Sequence, residues 1–208
     1  HGPNHLFGYG IKSLDTLKQI RSDLEAACAE FPQVKGLVGI EANIISTEGD
    51  LDLPPEEAHL VDIVQAGLHA MVRLADARQF RRIYGWHYLG KLWDPWSKRS
   101  RIYNTDAVIN AVYKNRIHIV THPGHRFNID TRAVARACRE RGTAMEINCS
   151  HDHITVEYIR IAADEGVKFV IGSDAHSPER VGDFSRGIEL ARAAGLEPDQ
   201  IINARAVT

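Results

Sequence analysis

The feature that most constrains the fold is an alternation of short runs rich in Val and Ile with amphipathic helical stretches, which begins at about Val34. Runs of this kind predict strands that are buried on both faces of a sheet. The predicted strands cover residues 37–42, 62–68, 117–121, 143–147 and 168–172. Repeated strand–helix units with short connections predict an α/β fold with a parallel sheet, either open or closed into a barrel.

Helices are predicted between these strands from residues that commonly begin and end a helix. Three predicted helices follow a common N-cap residue: 105–115 after Asn104, 131–141 after Asp130, and 156–165 after Thr155. A fourth covers residues 184–194. Three of the four are expected to end at a glycine that adopts a left-handed conformation: Gly142, Gly166 and Gly195. The last stretch, 203–207, is also helix-like.

Size and composition indicate one globular domain, residues 1–208. The chain has 208 residues, 44% of them hydrophobic and 25% charged, which is enough for one sizeable core. A formal net charge of −2 does not indicate general binding to nucleic acid or acidic membranes. No apolar stretch approaches the length of a membrane span. The three cysteines lack a paired Cys-x-x-Cys spacing, so we expect a cytoplasmic protein with reduced thiols and no membrane partner.

Polar residues that can bind metal follow four of the predicted strands. Glu41, His69 and His122 each end or follow one strand, and the pair Asp174 and His176 follows another. The carboxyl ends of parallel strands lie on one face of a barrel, where active sites are built. We therefore expect these side chains to converge although they are far apart in sequence.

Imidazole nitrogen and carboxylate oxygen are ligands that suit zinc, iron or manganese, and a carboxylate can bridge two ions. Each residue alone has a simpler interpretation, because a single histidine beside a strand is more often structural and Asp174 could be a helix N-cap. The repetition of the pattern across four strands favours a metal site.

Six short segments are spread over nearly the whole chain: His1-Gly-Pro, Gly39-Ile-Glu41-Ala-Asn43, Ala66-Gly-Leu-His69, Thr121-His122-Pro-Gly124, Met145-Glu-Ile-Asn148 and Gly172-Ser-Asp174-Ala-His176. In content and order they resemble the motifs of the PHP (polymerase and histidinol phosphatase) family, especially its stand-alone bacterial metal-dependent phosphoesterases. The resemblance implies a distorted seven-stranded βα barrel that holds two to three divalent ions, zinc, manganese or iron.

The resemblance also implies roles for individual residues. The implied metal ligands are His1, Glu41 as the bridging carboxylate, His69, His122, Asp174 and His176. Four of these, Glu41, His122, Asp174 and His176, would be catalytic, with metal-bound hydroxide attacking phosphorus. The family opens with a strand that carries a His-x-His pair, and then a further His, before the motif that begins here. We therefore expect a chain that lacks the first strand–helix unit, in which the site of Glu41, His69 and His122 is the most complete.

Three residues near the predicted metal face are candidates for substrate binding. Arg126 and Arg180 lie just beyond two of the motifs, where a guanidinium could hold a phosphate, although both could be solvated loop residues. Asn148 follows the strand 143–147 and could donate a hydrogen bond, or could simply form a turn. His151-Asp152-His153 looks like a metal-binding trio, but sequence neighbours rarely point at one centre, so it is left out of the predicted ligand set.

A basic and aromatic insert at about 73–101 departs from the strand–helix rhythm. It contains all three tryptophans and eight basic residues against two acidic ones. It could be a lid over a phosphorylated substrate, a dimer contact, a surface for single-stranded nucleic acid, or a packed helical excursion with a solvated basic side. The helical excursion is the favoured interpretation.

The function expected from these features is metal-dependent hydrolysis of a phosphoester, most simply a phosphomonoester in a small phosphorylated substrate. One alternative is a phosphodiesterase or nuclease that acts on nucleotides, which the insert favours slightly. The alternative from a different class is a non-catalytic metal-binding structural module.

Overall fold

Five parallel strands form one sheet in a computed structural model that describes residues 1–6 and 10–204. The strands are β1 (Gly39–Asn43), β2 (Ile63–Gly67), β3 (Ile119–Val120), β4 (Ala144–Asn148) and β5 (Phe169–Gly172). Their order in the sheet is β1-β2-β3-β4-β5, and each neighbouring pair is parallel. The five predicted strands and the α/β class with a parallel sheet are confirmed.

Of the described helices, one precedes the first strand, one follows the last, and the others lie between strands. They are α1 (Asp15–Glu30), α2 (Ala77–Phe80), α3 (Trp86–Gly90), α4 (Asp94–Lys114), α5 (Thr131–Arg141), α6 (Val156–Asp164) and α7 (Ser185–Ala194). A short π-helical turn, Arg81–Gly85, joins α2 to α3, so most of the segment 73–101 is helical. Short 3-10 turns cover Pro55–Leu60, Pro178–Arg180 and Pro198–Gln200.

The sequential strand order determines where the helices pack. Each crossover between neighbouring parallel strands moves in the same direction, and such crossovers are right-handed, so the connecting helices fall on one face of the sheet. Helix α4 contacts α5, α5 contacts α6, and α6 contacts α7. One layer of helices therefore covers the sheet and leaves the carboxyl ends of the strands together at one edge.

Two predicted helix starts are confirmed, and one is wrong. Asp130 caps α5 by accepting a hydrogen bond from Ala133 N at 3.0 Å, and Thr155 caps α6 by accepting from Tyr158 N at 3.2 Å. The predicted start of a helix after Asn104 is wrong, because α4 begins eleven residues earlier, at Asp94, with Pro95 in its first turn. Asn104 is buried within α4, where its side chain donates to Asn128 O at 3.1 Å.

The two ends of the chain also differ from the sequence-based expectation. Helix α1 was not predicted, because most of its residues are solvent-exposed and only Leu17 is fully buried. The predicted helix-like stretch 203–207 lies largely outside the described residues, and its first residue, Asn203, is in a turn. The Asn203 side chain bonds the main chain of Ile171, donating to its oxygen at 2.9 Å and accepting from its nitrogen at 3.1 Å.

The core lies between the sheet and the helices. It includes one or more fully buried residues from every strand, such as Ala42, Ala66, Val120, Ile147 and Phe169. Among the described helices, none combines the length and the apolar character that a membrane span requires.

Candidate functional site

The predicted ligands lie around a cleft of about 310 Å³ at the carboxyl ends of the strands. Glu41 is the third residue of β1, while His69, His122 and Asp174 each lie two residues beyond the end of β2, β3 and β5. Because all strands of the sheet are parallel, residues close to their carboxyl ends come together at the same edge. The cleft is lined by His1, His5, Glu41, Leu68, His69, Ala70, Met71, His122, His125, Arg126, His151, Asp174 and His176.

Glu41 is the centre of the first group of side chains. Its Oε1 lies 3.0 Å from His69 Nε2 and 3.1 Å from His122 Nε2, and these two ring nitrogens are 3.0 Å apart. Three ligand-type atoms therefore form a nearly equilateral triangle. His1 completes the group from the other side, with its Nδ1 at 3.2 Å from Glu41 Oε2.

The position of His1 depends on the first turn of the chain. Gly2 N donates to Glu41 O at 2.9 Å, so the segment is fixed directly to β1. Gly2 also lies against the buried carboxylate of Asp52, and a Cβ at this position would overlap that carboxylate. The buried His1 Nδ1 has no partner with hydrogen-bond geometry among the described residues, although it is aimed at Glu41.

The pKa values of this group are shifted in different directions. Burial raises the pKa of Glu41, but hydrogen bonds from His122 and His69 outweigh burial and hold that pKa far below its usual range. Burial also lowers the pKa of His69, and the contact with Glu41 does not offset it. Burial acts in the same direction on His122, but Glu41 and Glu146 together raise its pKa. The carboxylate is thus kept ionised, and His69 favours its neutral, metal-binding form.

A second group surrounds Asp174. Its Oδ1 lies 3.4 Å from His176 Nε2, and its Oδ2 lies 3.3 Å from His151 Nε2. Asn148 is fully buried beneath the cleft and donates to Asp174 Oδ2 at 3.1 Å. Asn148 Oδ1 also accepts a hydrogen bond from His151 N at 3.0 Å, so Asn148 contacts both Asp174 and His151.

The two predicted arginines are placed differently. Arg126 lines the cleft, and its Nε donates to His125 Nε2 at 3.2 Å. The His125 ring stacks on His151 at 4.0 Å between ring centroids, and burial together with the neighbouring histidines lowers the pKa of His125 to about 3. Arg180 lies outside the residues that line the cleft, in the turn Pro178–Arg180, where its Nη1 is 3.5 Å from Asp183 Oδ2.

Backbone conformations that are rare for residues other than glycine occur around this cleft. Among the described residues, the non-glycine positions with positive φ are Met71 at 61°, His122 at 28°, Arg126 at 60° and Asp174 at 47°. All four line the cleft. Strained conformations cluster at functional sites, where the surrounding structure holds side chains in a required position.

Four residues around the cleft were not among the predicted site residues, and one of them, His151, was considered and left out of the predicted ligand set. His125 and His151 lie three residues beyond His122 and Asn148, in the loops that follow β3 and β4. Thr121 and Glu146 lie just below the cleft, and Thr121 Oγ1 is within hydrogen-bond distance of both Glu41 Oε1, at 3.0 Å, and Glu146 Oε2, at 3.1 Å. A charged residue between Met145 and Ile147, within an otherwise apolar strand, was the available signal for Glu146.

The donor set fits a divalent cation. Zinc bonds of 2.0–2.1 Å in tetrahedral geometry place ligand atoms about 3.3 Å apart. The Nε2–Nε2 and Nε2–Oε1 distances of 3.0 to 3.1 Å within the Glu41 group are close to that spacing. His1, Glu41 and His69 also offer ligand atoms that all lie within 4.8 Å of one another. Imidazole and carboxylate groups of this kind suit zinc, iron or manganese.

The chain is similar to bacterial proteins named probable phosphatases. One from Shewanella sp. (strain ANA-3) is 31% identical over an alignment of 176 positions, which covers 80% of this chain and 61% of the relative. One from Thermoanaerobacter sp. is 30% identical over an alignment of 217 positions, which covers 98% of this chain and 75% of the relative. The probable phosphatase YcdX of Escherichia coli is 27% identical over an alignment of 176 positions, which covers 80% of this chain and 62% of the relative.

The chain spans about three fifths of the length of the Shewanella and Escherichia relatives, at 61% and 62%. No model of a known protein family matches it. The similarity to the Thermoanaerobacter protein nevertheless extends over almost the whole chain and three quarters of that relative. The chain therefore belongs to the same family as these bacterial proteins, which are named probable phosphatases.

Proposed function

We propose that this chain is the metal-binding core of a PHP-type phosphoesterase that hydrolyses a phosphomonoester in a small substrate. The observation that carries the proposal is the convergence of His69 and His122 on one oxygen of Glu41, at 3.0 and 3.1 Å, in a cleft at the strand ends. The names of the relatives support phosphoester hydrolysis as the reaction class.

For the fold, we propose a distorted seven-stranded βα barrel. The sequential order of the five described strands supports it, because a singly wound barrel adds each strand beside the previous one. An open sheet that reverses its winding would place consecutive strands on both sides of the first strand.

Two groups of residues would hold two to three ions of zinc, manganese or iron. The first group is His1, Glu41, His69 and His122, and the second is Asp174 and His176. Ions bound there would supply a nucleophile at neutral pH and offset charge on the phosphoryl oxygens. Glu41 is suited to contact more than one ion, because its two oxygens face different histidines.

Arg126 is the proposed phosphate-binding residue of the chain. It lines the cleft, and its Nε is held by His125, so the rest of its guanidinium can face a phosphoryl group. Among the ion pairs of the described residues, none joins Arg126 to a carboxylate. Asn148 supports the same region indirectly, through Asp174 and the main chain of His151. Arg180 is a less direct candidate because it faces Asp183.

One observation favours a phosphodiester as the second candidate substrate. The segment 73–101 contacts the cleft through Tyr84, which donates to His69 O at 3.0 Å, and it exposes large side chains, with Tyr88 and Trp93 each 56% exposed. Lys91 Nζ lies 5.3 Å from the centroid of the Tyr88 ring. Exposed aromatic rings beside cations can stack nucleotide bases.

The test combines metal analysis with a comparison of two aryl substrates in the full-length protein. We expect at least two ions per chain by elemental analysis, and manganese-dependent hydrolysis of p-nitrophenyl phosphate. His122→Ala should lose both an ion and the activity. His59→Ala is the matched control, because His59 is exposed in the turn Pro55–Leu60, beside the amino ends of the strands. Faster turnover of bis-p-nitrophenyl phosphate would favour the diester candidate, and metal-free, inactive wild-type protein would overturn the proposal.

A further inference from the structure

Glu146 is a carboxylate enclosed directly beneath the cleft, and it is only 7% exposed. Its Oε2 accepts three hydrogen bonds, from His122 N at 2.7 Å, Thr121 Oγ1 at 3.1 Å and Asn148 Nδ2 at 3.1 Å. Its Oε1 faces Gly172 on β5, where any Cβ would overlap it. The side chain is therefore held from both sides, and β5 has a glycine where space for it is needed.

Each of the three donors belongs to a candidate cation ligand or touches one. His122 is itself such a ligand, and its main-chain N–H is the donor. Thr121 Oγ1 also lies 3.0 Å from Glu41 Oε1. Asn148 Nδ2 also lies 3.1 Å from Asp174 Oδ2. One oxygen atom on β4 is thus linked, directly or through one side chain, to ligands from β1, β3 and β5.

This arrangement spans the two groups of ligands. Among the described residues, no hydrogen bond joins Glu41 to Asp174 directly. Both are connected to Glu146, Glu41 through Thr121 and Asp174 through Asn148. Groups outside the coordination shell orient the ligands, and their loss typically weakens metal binding 10- to 100-fold. A buried acceptor with three donors is also costly to remove, because each donor is left unpaired.

We propose that Glu146 is a positioning residue, which sets the relative orientation of Glu41, His122 and Asp174 through Thr121, the His122 main chain and Asn148. The inference rests on the proposed function, because the residues it positions are the candidate cation ligands. Glu146 contacts no cation or substrate in this scheme.

The test measures Mn²⁺ affinity by chelator competition, together with kcat and KM for p-nitrophenyl phosphate, in the full-length protein. Glu146→Met keeps the length of the side chain but removes the acceptor. We expect about a 10- to 100-fold loss of Mn²⁺ affinity and a lower kcat at saturating Mn²⁺, with KM little changed. Glu146→Gln keeps an acceptor oxygen and should recover most of the affinity.

Thr143→Val is the matched control for a general loss of stability. Thr143 is also buried, and its hydroxyl donates to Ile117 O at 2.8 Å, but it lies just before the amino end of β4, away from the cleft. Thr143→Val should lower the free energy of unfolding, and its Mn²⁺ affinity should equal that of the wild type. If Glu146→Met does not fold, Gly172→Ala replaces it, since the added Cβ displaces Glu146 without removing any hydrogen-bonding group.

The outcomes separate this inference from the proposed function. Wild-type protein that binds Mn²⁺, with Glu146→Met or Gly172→Ala binding it equally well, would overturn the positioning role alone. Wild-type protein that binds neither Mn²⁺ nor Zn²⁺ would overturn the proposed function, and the role of Glu146 with it.

Discussion

Buried carboxylates fix the loops around the cleft by accepting main-chain hydrogen bonds. Asp52 accepts from Asn43 N at 2.7 Å and from Asn4 N at 3.0 Å, so it ties the first turn of the chain to the end of β1. Glu146 accepts from His122 N at 2.7 Å and ties β4 to the residue that follows β3. A main-chain N–H fixes a carboxylate more firmly than a flexible side chain does, because ordering it costs no extra rotamer entropy.

At the scale of single residues, the buried thiol of Cys138 gives a prediction for alkaline pH. Burial raises the pKa of Cys138 to about 12, above its ordinary value of 9.0. The folded state therefore binds the thiol proton more tightly than the unfolded state. Its contribution to stability is complete below pH 9 and is lost progressively as the pH rises toward 12.

We expect the free energy of unfolding to fall by about 2 kcal/mol between pH 9 and pH 11 through this group alone. Urea unfolding of the wild type and of Cys138→Ala at pH 7, 9 and 11 measures the effect, and the variant should lose less stability over the alkaline range. Cys28→Ala is the control, since Cys28 is only partly buried and its variant should follow the wild type. Parallel curves for the wild type and Cys138→Ala would contradict the prediction.

At the scale of elements, helix α5 depends on the cap at Asp130. Asp130 Oδ1 accepts from Ala133 N at 3.0 Å, and its Oδ2 accepts from Arg101 Nη2 at 2.8 Å, which joins α5 to α4. Asp130→Ala should lower the free energy of unfolding in urea by about 1 to 2 kcal/mol, because it leaves a helix N–H unpaired. Asp130→Asn keeps the cap and loses only an exposed ion pair, so it should cost less than about 1 kcal/mol. Equal losses for the two variants would assign the stabilisation to the ion pair instead of the cap.

The caps of α5 and α6 could be predicted from sequence, because a capping residue and a terminal glycine are local signals. The start of α4 could not, since Trp93 provides no side-chain cap and Asn104, which looks like one, is used inside the helix to bind Asn128 O. Helix α1 was missed for a related reason: it buries only Leu17 completely, so its apolar face is weak in the sequence.

The same distinction holds for the candidate site. His69, His122 and Asp174 could be predicted because each lies just beyond a largely apolar strand, and the carboxyl ends of parallel strands lie together. The places of His151 and Glu146 depend on contacts between β4 and its neighbours on both sides, β3 and β5. A sequence pattern in one strand does not contain that information.

At the scale of the whole molecule, the cleft forms only when all the strands of the sheet are assembled. Glu41 on β1 and Asp174 after β5 are separated by most of the chain, yet both line the same cleft. Cation binding at such a site requires the folded state, because the unfolded chain does not bring these ligands together. Bound cations should therefore stabilise the entire fold, and not only the loops at the strand ends.

We accordingly expect Mn²⁺ to raise the melting temperature of the full-length protein, and EDTA to lower it. Free Mn²⁺ at 100 times its Kd adds about 2.7 kcal/mol to the free energy of unfolding. For a protein of this size, that corresponds to a rise of about 5 to 10 °C. His122→Ala should reduce the shift measured by calorimetry, because it removes one of the two ring nitrogens at 3.0 to 3.1 Å from Glu41 Oε1. His59→Ala should keep the full shift, since His59 lies beside the amino ends of the strands. An equal shift in all three proteins would place the stabilising cation elsewhere, because neither substitution would then have touched its ligands.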